Sequence, residues 1–557
     1  MNSVPGAAPV PAGRLGGKIP ALAHLALFVL WAVLWRLPVL MGDDRFFAVA
    51  SGLPGGDQSL HGAWRMLMDC LQVYNGRWVD GIGAALFALG DTGIRLLMAA
   101  LQVALTALLW AWVKASRELA AQPGAPAVAS QGWDWTVWAL LAGVPFVLVA
   151  TNLGNAGESV FLMAATWNYV LPLDLLLLAL LPVVRSLVSA GRLEGWHRAG
   201  LVLLPLAVSS HELVMVLGIV MVGVLVLADS GRRAHRQLWG QVGLAVGLGA
   251  LAKLSTPGLW ARASNYADQG ADGLGPVRQK LASAALSASS VALHDAAVLV
   301  LLLVCLALCG VSLQGAGRTR RLAARRLLVA ALACLLSWFV LSVVVASGPV
   351  MLELHPKVLD GLDPALCTAV VLSSLGFWAA VTALALVLGV RRWGVLGCAG
   401  VAGAAACFAL GLLGASPWYA LVHRTFFLSL LLAVVAAVAG LAQQQGAAVS
   451  AAWVLPARQL LMAAAALLAA QGLFISGLQL AANRAYWRTV EAQVVQARAG
   501  RAEVVTIAEH LPCPGVTWYF DSGNPTRARA QWRTYYGLPA TVEIVPGPAP
   551  SNCPAPG

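Results

Sequence analysis

The chain has 557 residues, of which 59% are hydrophobic and only 11% are charged. Soluble domains carry about 25% charged residues, so this chain has too little charge to cover a water-facing surface and is not expected to be a soluble globular enzyme. Its net charge of +12 comes from Arg and Lys clustered in short runs between apolar stretches, a distribution typical of membrane-protein loops rather than of a nucleic-acid-binding surface. We therefore predict an all-α polytopic transmembrane helical bundle whose partner is the lipid bilayer, with no nucleic acid.

Apolar segments long enough to cross ~30 Å of hydrocarbon follow one another from the N-terminal region onward. Residues 1–18, rich in Pro, Gly and Ala, are predicted to form a disordered cytoplasmic N-terminus, and residues 19–478 the transmembrane domain. The segment 199–228 is too long for one span and has a polar centre, so we expect two short helices there and about thirteen spans in total. The predicted spans are 19–41, 94–113, 135–151, 169–185, 199–228 (two helices), 238–254, 288–312, 327–347, 366–390, 395–414, 425–441 and 457–478.

The basic loops fall on the same side of the predicted membrane as the N-terminus. Cytoplasmic loops of membrane proteins are enriched in Arg and Lys, so this asymmetry predicts a cytoplasmic N-terminus. An odd number of spans then predicts an extracytoplasmic C-terminus, in a multi-pass protein of the cytoplasmic (inner) membrane. The basic positions lie at 114–117, 185–198, 232–236, 318–326, 391–392 and 458.

The first predicted outer loop, 42–93, begins with two adjacent carboxylates, Asp43 and Asp44, directly after the first span. Such a pair could bind a divalent cation, or one member could act as a general base while its neighbour raises its pKa. They could equally be a solvated helix end in which Asp is only a cap. The apolar spacing of residues 61–73 predicts an amphipathic helix at the membrane interface.

Other polar residues collect on the same predicted outer face. His211 and Glu212 lie inside an apolar segment, where ionisable residues are costly and commonly functional, although a pair at a helix–helix turn could be structural. Aromatic residues at this depth could simply anchor the interface, and a lone Arg at a helix end commonly snorkels. Several such groups together predict a site for phosphate and sugar, because Arg is suited to bidentate phosphate binding. The candidate substrate-binding residues are Asn75, Arg77, Asn168, Tyr169, His211, Glu212, Arg262, Asn265, Tyr266, His355 and Arg424.

Residues 479–557 are markedly more polar than the rest of the chain. We predict a small extracytoplasmic α/β segment, too short for an independent catalytic domain and suited to a cap over the outer loops. Cys513 and Cys553 are the only cysteines within it, so a disulfide between them is expected if this side is oxidising. The nine cysteines show no spacing typical of zinc or iron–sulfur sites, and most of the others lie in apolar segments as small hydrophobic residues.

Short polar motifs occur in order along nearly the whole chain. They are Asp43-Asp44 after the first span, Asn75-Gly76-Arg77 before the second, Thr166-Trp167-Asn168-Tyr169, Ser210-His211-Glu212, Pro257-Gly258 followed by Asn265-Tyr266, Arg424-Thr425-Phe426 and Tyr535-Tyr536-Gly537-Leu538. In these motifs the chain resembles an uncharacterised family of bacterial polytopic membrane proteins close to the GtrII-like and C-type (GT-C) lipid-dependent glycosyltransferases. The resemblance implies a GT-C-like fold and a membrane-embedded transferase that uses a polyprenyl-phosphate-linked sugar. It also implies that a first-loop Asp, here Asp43 or Asp44, acts as base or metal ligand.

The expected function is transfer of a sugar from a polyprenyl-phosphate donor to a glycan or lipid acceptor of the cell envelope. Asp43 or Asp44 would deprotonate the acceptor hydroxyl, and Arg262 or Arg424 would hold the departing lipid phosphate. No cofactor beyond the divalent cation is implied. Two alternatives remain open: a transporter or flippase, for which broken helices near the midplane are typical, and a non-catalytic scaffold in envelope assembly.

Overall fold

The computed structural model describes residues 21–38, 60–87, 90–120, 131–151, 160–161, 163–188, 195–229, 235–268, 276–311, 317–346, 362–414, 424–443, 454–508, 513 and 525–547. These residues are mostly helical. The helices are α1 Ala21–Trp35, α2 Leu60–Asp69, α3 Trp78–Leu86, α4 Gly90–Ala120, α5 Gln131–Thr151, α6 Leu171–Val188, α7 Gly195–Ser210, α8 Glu212–Ala228, α9 Arg236–Leu254, α10 Pro257–Asp268, α11 Pro276–His294, α12 Ala296–Val311, α13 Arg318–Ala346, α14 Pro364–Leu388, α15 Val390–Trp393, α16 Val395–Leu413, α17 Arg424–Gln443, α18 Val454–Arg498 and α19 Pro525–Tyr536.

Eight helices of the described residues are long and apolar enough to cross a membrane, or up to nine if the bent pair α11–α12 counts as one span. The chain therefore has the architecture of an all-α polytopic membrane protein. The predicted count of thirteen spans is not confirmed. Helices α1, α7 and α8 are apolar but have 17 residues or fewer, so at 1.5 Å per residue each falls short of ~30 Å. Helix α9, which carries two glutamines and Lys253, is not among the eight.

The predicted break in 199–228 is confirmed. Helix α7 ends at Ser210 and α8 begins at Glu212, with His211 between them in an extended conformation (φ −149°, ψ 141°). The His211 Nδ1 atom accepts a hydrogen bond from the backbone N–H of Leu213 at 3.1 Å and so acts as the N-cap of α8. This bond satisfies one of the backbone donors that every helix start leaves open.

The bundle is packed closely wherever glycines face other helices. A Cβ atom on Gly472 of α18 would lie 1.9 Å from the Phe146 carbonyl oxygen of α5, and one on Gly249 of α9 would lie 2.8 Å from the Pro205 carbonyl oxygen of α7. Small residues of this kind let helix backbones approach directly in membrane bundles. Helix α17 is almost entirely enclosed by its neighbours.

Helix α18 extends without interruption into a small α/β unit, against which its last turns pack. Helix α18 runs for 45 residues across the predicted boundary at 478/479. Two parallel strands, β1 Val504–Ala508 and β2 Glu543–Gly547, pair with Val504 opposite Glu543, and α19 lies between them in sequence. A separate hydrophobic cluster joins the strands to the last turns of α18; it comprises Trp487, Val490, Val494, Ala497, Val505, Ile507, Trp532, Leu538, Val542 and Ile544.

Cys513 is held against α18 by a side-chain amide. Asn483 Nδ2 donates to the Cys513 carbonyl at 2.9 Å, and the Cys513 N–H donates to Asn483 Oδ1 at 2.8 Å. Cys513 is disulfide-bonded, whereas seven other cysteines are free. Its expected partner, Cys553, falls outside the described residues, so the pairing stays a prediction.

Candidate functional site

The turn Asn75–Arg77, between α2 and α3, is held by hydrogen bonds of its own. Helix α2 continues as a π-helical turn, Cys70–Tyr74, and the Cys70 carbonyl accepts from the N–H groups of Asn75 at 3.1 Å and Gly76 at 2.6 Å. Asn75 Oδ1 accepts from the Arg77 N–H at 3.0 Å, and its Nδ2 donates to Asp80. Single π-turns of this kind are frequent at functional sites. The turn is therefore preorganised by local contacts.

This turn packs backbone to backbone against the start of α10. Gly76 has φ +68°, and a Cβ atom there would lie 2.4 Å from Thr256 Oγ1 and 2.9 Å from the Leu259 nitrogen. From the opposite side, a Cβ atom on Gly258 would lie 2.6 Å from the Cys70 carbonyl oxygen. Only glycine fits both positions, and the contact brings together two segments that are distant in sequence.

Arg77 forms a two-point ion pair with Glu212, the first residue of α8. The Arg77 Nε atom donates to Glu212 Oε2 at 3.0 Å, and Nη2 donates to Oε1. Burial alone would lower the pKa of the Arg77 guanidinium, but the Glu212 carboxylate more than offsets this and the pKa is raised. The paired, charge-assisted geometry is the strongest that a guanidinium and a carboxylate can form. It fixes the turn after α2 to the break between α7 and α8.

Lys253, in the last turn of α9, is fully buried beside this ion pair. Its Nζ atom donates to the Gly76 carbonyl at 2.8 Å and lies 3.6 Å from Glu212 Oε2. An ammonium group is rarely buried unless it is paired, and here one cation satisfies both the turn and the carboxylate. Trp78 Nε1 adds a bond to Ser209 Oγ at 3.3 Å, which ties the start of α3 to the end of α7.

His211 precedes Glu212 in the chain, and none of its surface is exposed. Because Nδ1 accepts from Leu213, the neutral ring must carry its proton on Nε2. The imidazole packs against Tyr169, with 5.1 Å between ring centroids, and Tyr169 in turn packs against Phe427 at 6.0 Å. Tyr169 belongs to a second π-helical turn, Thr166–Val170, which precedes α6.

Positive charge exceeds negative charge in this cluster. Arg262 of α10 is close enough to interact electrostatically with His211 and Lys253, and Asp80 with Arg77 and Lys253. With His211 neutral, the described residues of this cluster comprise three cations and two carboxylates. Cationic side chains in this number suit an anionic ligand better than a cation. We call these groups the cationic cluster: Arg77, Asp80, Glu212, Lys253 and Arg262.

Several of the residues predicted from sequence meet in this one place. Asn75, Arg77, Tyr169, His211, Glu212 and Arg262 surround the break between α7 and α8, and Asn168 lies next to Tyr169 on the same π-turn. Asn265 and Tyr266 lie on α10 with Arg262, and Arg424 begins α17, but the positions of these three side chains fall outside the description. Asp43, Asp44 and His355 also lie outside the described residues.

Sequence reasoning missed Lys253 and Asp80. Lys253 lies at the end of an apolar segment, where a lysine side chain normally reaches the membrane interface. Its position in the sequence does not distinguish such a lysine from a buried one. Asp80 follows Arg77 by three residues, which is the spacing of neighbours on a helix and could have drawn attention to it.

Among the residues that the structure describes, no three His, Cys, Asp or Glu side chains are grouped so that they could hold a metal ion. The divalent cation expected at Asp43 and Asp44 stays a prediction.

Comparisons with protein-family models, with curated proteins and with solved structures found no match for this chain.

Proposed function

We propose that the protein is a membrane-embedded transferase that moves a sugar from a polyprenyl-phosphate donor to a glycan or lipid acceptor of the cell envelope. The observation that carries the proposal is the cationic cluster, in which a bidentate Arg77–Glu212 pair and a fully buried Lys253 lie at a helix break. A phosphate group on a lipid combines negative charge with an apolar tail. Such a ligand suits a partly buried group of cationic side chains within an apolar bundle.

The chemistry of transfer assigns a role to each charged group. The acceptor hydroxyl attacks the anomeric carbon, a new carbon–oxygen bond forms, and the bond from that carbon to the phosphate oxygen breaks. The electron pair goes to the departing lipid phosphate, whose growing charge Arg77 and Arg262 would stabilise, while the fully buried Lys253 holds the Gly76 carbonyl and Glu212. Glu212 holds the Arg77 guanidinium in one orientation. The hydroxyl proton goes to Asp43 or Asp44, the predicted general base.

The proposed setting is the outer face of the cytoplasmic membrane. Support comes from the basic runs between apolar segments, which favour a cytoplasmic N-terminus. In that orientation the first outer loop, the cationic cluster and the α/β unit after α18 all belong to the extracytoplasmic side. The α/β unit would then act as a cap beside the outer loops.

A second candidate, a transporter or flippase for an anionic lipid, is favoured by the broken helices. Helices α11 and α12 meet at a 72° bend, and Asp295 at that bend is buried. Helices α7 and α8 are interrupted at His211. Discontinuous helices with polar residues at the break are typical of secondary transporters.

One reconstituted preparation can separate these functions. Purified protein in liposomes is given polyprenyl-phosphate sugars, and both sugar transfer to an acceptor and movement of the lipid between leaflets are measured. Arg77→Gln should lower transfer by about 10²–10³-fold, the usual effect of removing a group that stabilises developing charge. Arg488→Gln, which removes an exposed Arg of α18, is the matched control and should leave transfer unchanged. Lipid movement without sugar transfer would favour the transporter. The absence of both activities would refute both proposals.

A further inference from the structure

Four exposed arginines near the start of α13 form no ion pair with any residue that the structure describes. They are Arg318, Arg321, Arg325 and Arg326. The first turn of α13 contains no acidic residue, and the helix dipole places partial positive charge at this same end. Like charges three or four residues apart on a helix repel one another. An anion bound beside these guanidinium groups would relieve that repulsion.

A fifth arginine of the same turns, Arg320, has a structural role. Its Nε atom donates to the Val387 carbonyl at 2.7 Å and its Nη2 atom donates to the Leu388 carbonyl at 3.1 Å. It thereby satisfies backbone acceptors that the end of α14 leaves open. Since successive residues are about 100° apart around a helix, Arg318 lies about 160° away from Arg320. Arg320 therefore joins α13 to α14, while Arg318 is on the face turned away from that contact.

Three of the four exposed arginines continue an apolar stripe along the outside of α13. Only 28% of the residues in the apolar stretch of α13 are buried, against 94% in α17, so most of this helix faces the lipid. Around the helix, Arg318, Arg321 and Arg325 fall within the same sector of about 100° as a row of exposed apolar side chains. That row comprises Val329, Leu332, Leu336, Val340 and Val343.

The length of α13 places these arginines at the depth of lipid headgroups. Residues 327–346 extend for about 30 Å at 1.5 Å per residue, which is the thickness of a hydrocarbon core. Residues 318–325 add about 11 Å, enough to pass through a headgroup layer of about 5–8 Å. When the apolar stripe lies among acyl chains, the guanidinium groups therefore lie level with the lipid phosphates.

We propose that Arg318, Arg321 and Arg325 bind the phosphate of an anionic phospholipid whose acyl chains lie along the apolar stripe of α13. Guanidinium groups bind phosphate through paired, charge-assisted hydrogen bonds. A free phosphate or an acidic peptide would match the arginines but not the stripe, whereas a phospholipid matches both. In the predicted orientation this is the cytoplasmic leaflet, whose anionic lipids attract basic segments next to a span. The inference is independent of the proposed sugar transfer.

The test measures binding of two lipids to the purified full chain by native mass spectrometry. Phosphatidylglycerol carries a net negative charge, and phosphatidylcholine has no net charge. The wild type should bind phosphatidylglycerol more tightly. One arginine near an anionic lipid surface is worth about a fivefold change in affinity. The triple variant Arg318→Gln/Arg321→Gln/Arg325→Gln should therefore weaken phosphatidylglycerol binding about 100-fold and leave phosphatidylcholine binding unchanged.

The matched control removes the same charge from elsewhere on the surface. Arg488, Arg498 and Arg501 are exposed and lie at the end of α18 or just beyond it. The triple variant Arg488→Gln/Arg498→Gln/Arg501→Gln should bind both lipids as the wild type does. An equal loss of phosphatidylglycerol in the two triple variants would mean that only net charge matters, and the site on α13 would be wrong.

Three other results would also overturn the proposal. They are equal binding of the two lipids by the wild type, unchanged phosphatidylglycerol binding in the α13 triple variant, and displacement of the lipid by inorganic phosphate at equal concentration. The last would indicate a site for free phosphate rather than for a lipid. If the α13 triple variant does not fold, the three single variants decide. Each should lose about fivefold in phosphatidylglycerol affinity, and no loss in any of them would refute the site.

Discussion

Gly76→Ala tests whether the Asn75–Arg77 turn is held in place by its contact with α10. Gly76 combines a positive φ with a lack of space, whereas Gly90 has nearly the same φ of +74° and nothing within 4 Å of an added Cβ atom. Gly90→Ala places an alanine with the same backbone strain at the start of α4, away from the turn, and is therefore a control for a general effect of such strain. A difference in docking of the turn reports what the added Cβ atom does at position 76.

The expected magnitudes follow from these distances. A left-handed conformation costs a non-glycine residue about 1–2 kcal/mol, in the turn for Gly76→Ala and at the start of α4 for Gly90→Ala. At Gly76 the added Cβ atom would lie 2.4 Å from Thr256 Oγ1 and 2.9 Å from a backbone nitrogen that cannot move independently. Overpacking of this kind typically costs a further 1–3 kcal/mol. At 1.4 kcal/mol per factor of ten, the overpacking alone should raise the undocked population of the turn about 5- to 150-fold in Gly76→Ala, whereas Gly90→Ala should leave it near the wild-type level.

A native cysteine reports on undocking. Cys70 has no exposed surface, its carbonyl binds the turn, and burial together with the nearby Asp80 and Asp69 raises the pKa of its thiol. Alkylation of Cys70, followed by peptide mass spectrometry, should be slow in the wild type and in Gly90→Ala and much faster in Gly76→Ala. Cys407, buried in α16, is an internal control that should stay unlabelled. Equal Cys70 labelling in the two variants would refute the reasoning.

Three further predictions concern the charged and polar groups around the site and the C-terminal unit. Lys253→Met should destabilise the docked turn by about 1–3 kcal/mol, because the Gly76 carbonyl loses its donor. Alkylation of Cys70 should therefore be faster than in the wild type. An unchanged rate would show that docking of the turn does not need Lys253. Asn483→Ala breaks both bonds to Cys513 and should speed reduction of its disulfide by a mild thiol, unless the disulfide alone holds that segment. Asp43→Asn and Asp44→Asn should leave membrane insertion normal, and at least one of them should lower sugar transfer about 10²–10⁴-fold. Full activity in both variants would mean that the two aspartates only cap a helix end.

Sequence reasoning pointed to those residues of the candidate site that stand out against an apolar background. His211 and Glu212 interrupt a hydrophobic run, and a polar pair in such a position is informative because lipid penalises it. Asn75 and Arg77 were predicted differently, as polar residues of the first outer loop, 42–93. The ion pair between Arg77 and Glu212 could not be predicted, because it depends on how α3 and α8 pack and not on any local spacing.

Span length was the weaker part of the sequence prediction. Hydrophobic composition marks an apolar segment, but a helix can end within it when a single residue adopts an extended conformation, as His211 does. The bend between α11 and α12 is a second example. Burial of Lys253 was also beyond sequence reasoning, since its partners, the Gly76 carbonyl and Glu212, are set by tertiary packing.

Because α18 is one continuous helix, it limits where the chain can be truncated to give a folded C-terminal fragment. At 1.5 Å per residue its 45 residues extend for about 68 Å, more than twice the ~30 Å of a hydrocarbon core. The strands and α19 fold against the last turns of this same helix through Trp487, Val490 and Val494. A fragment that begins after Arg498 would therefore lack the α18 residues that form part of its hydrophobic core. An expression fragment should instead start upstream of Asn483, so that it includes the last turns of α18 together with the strands and α19.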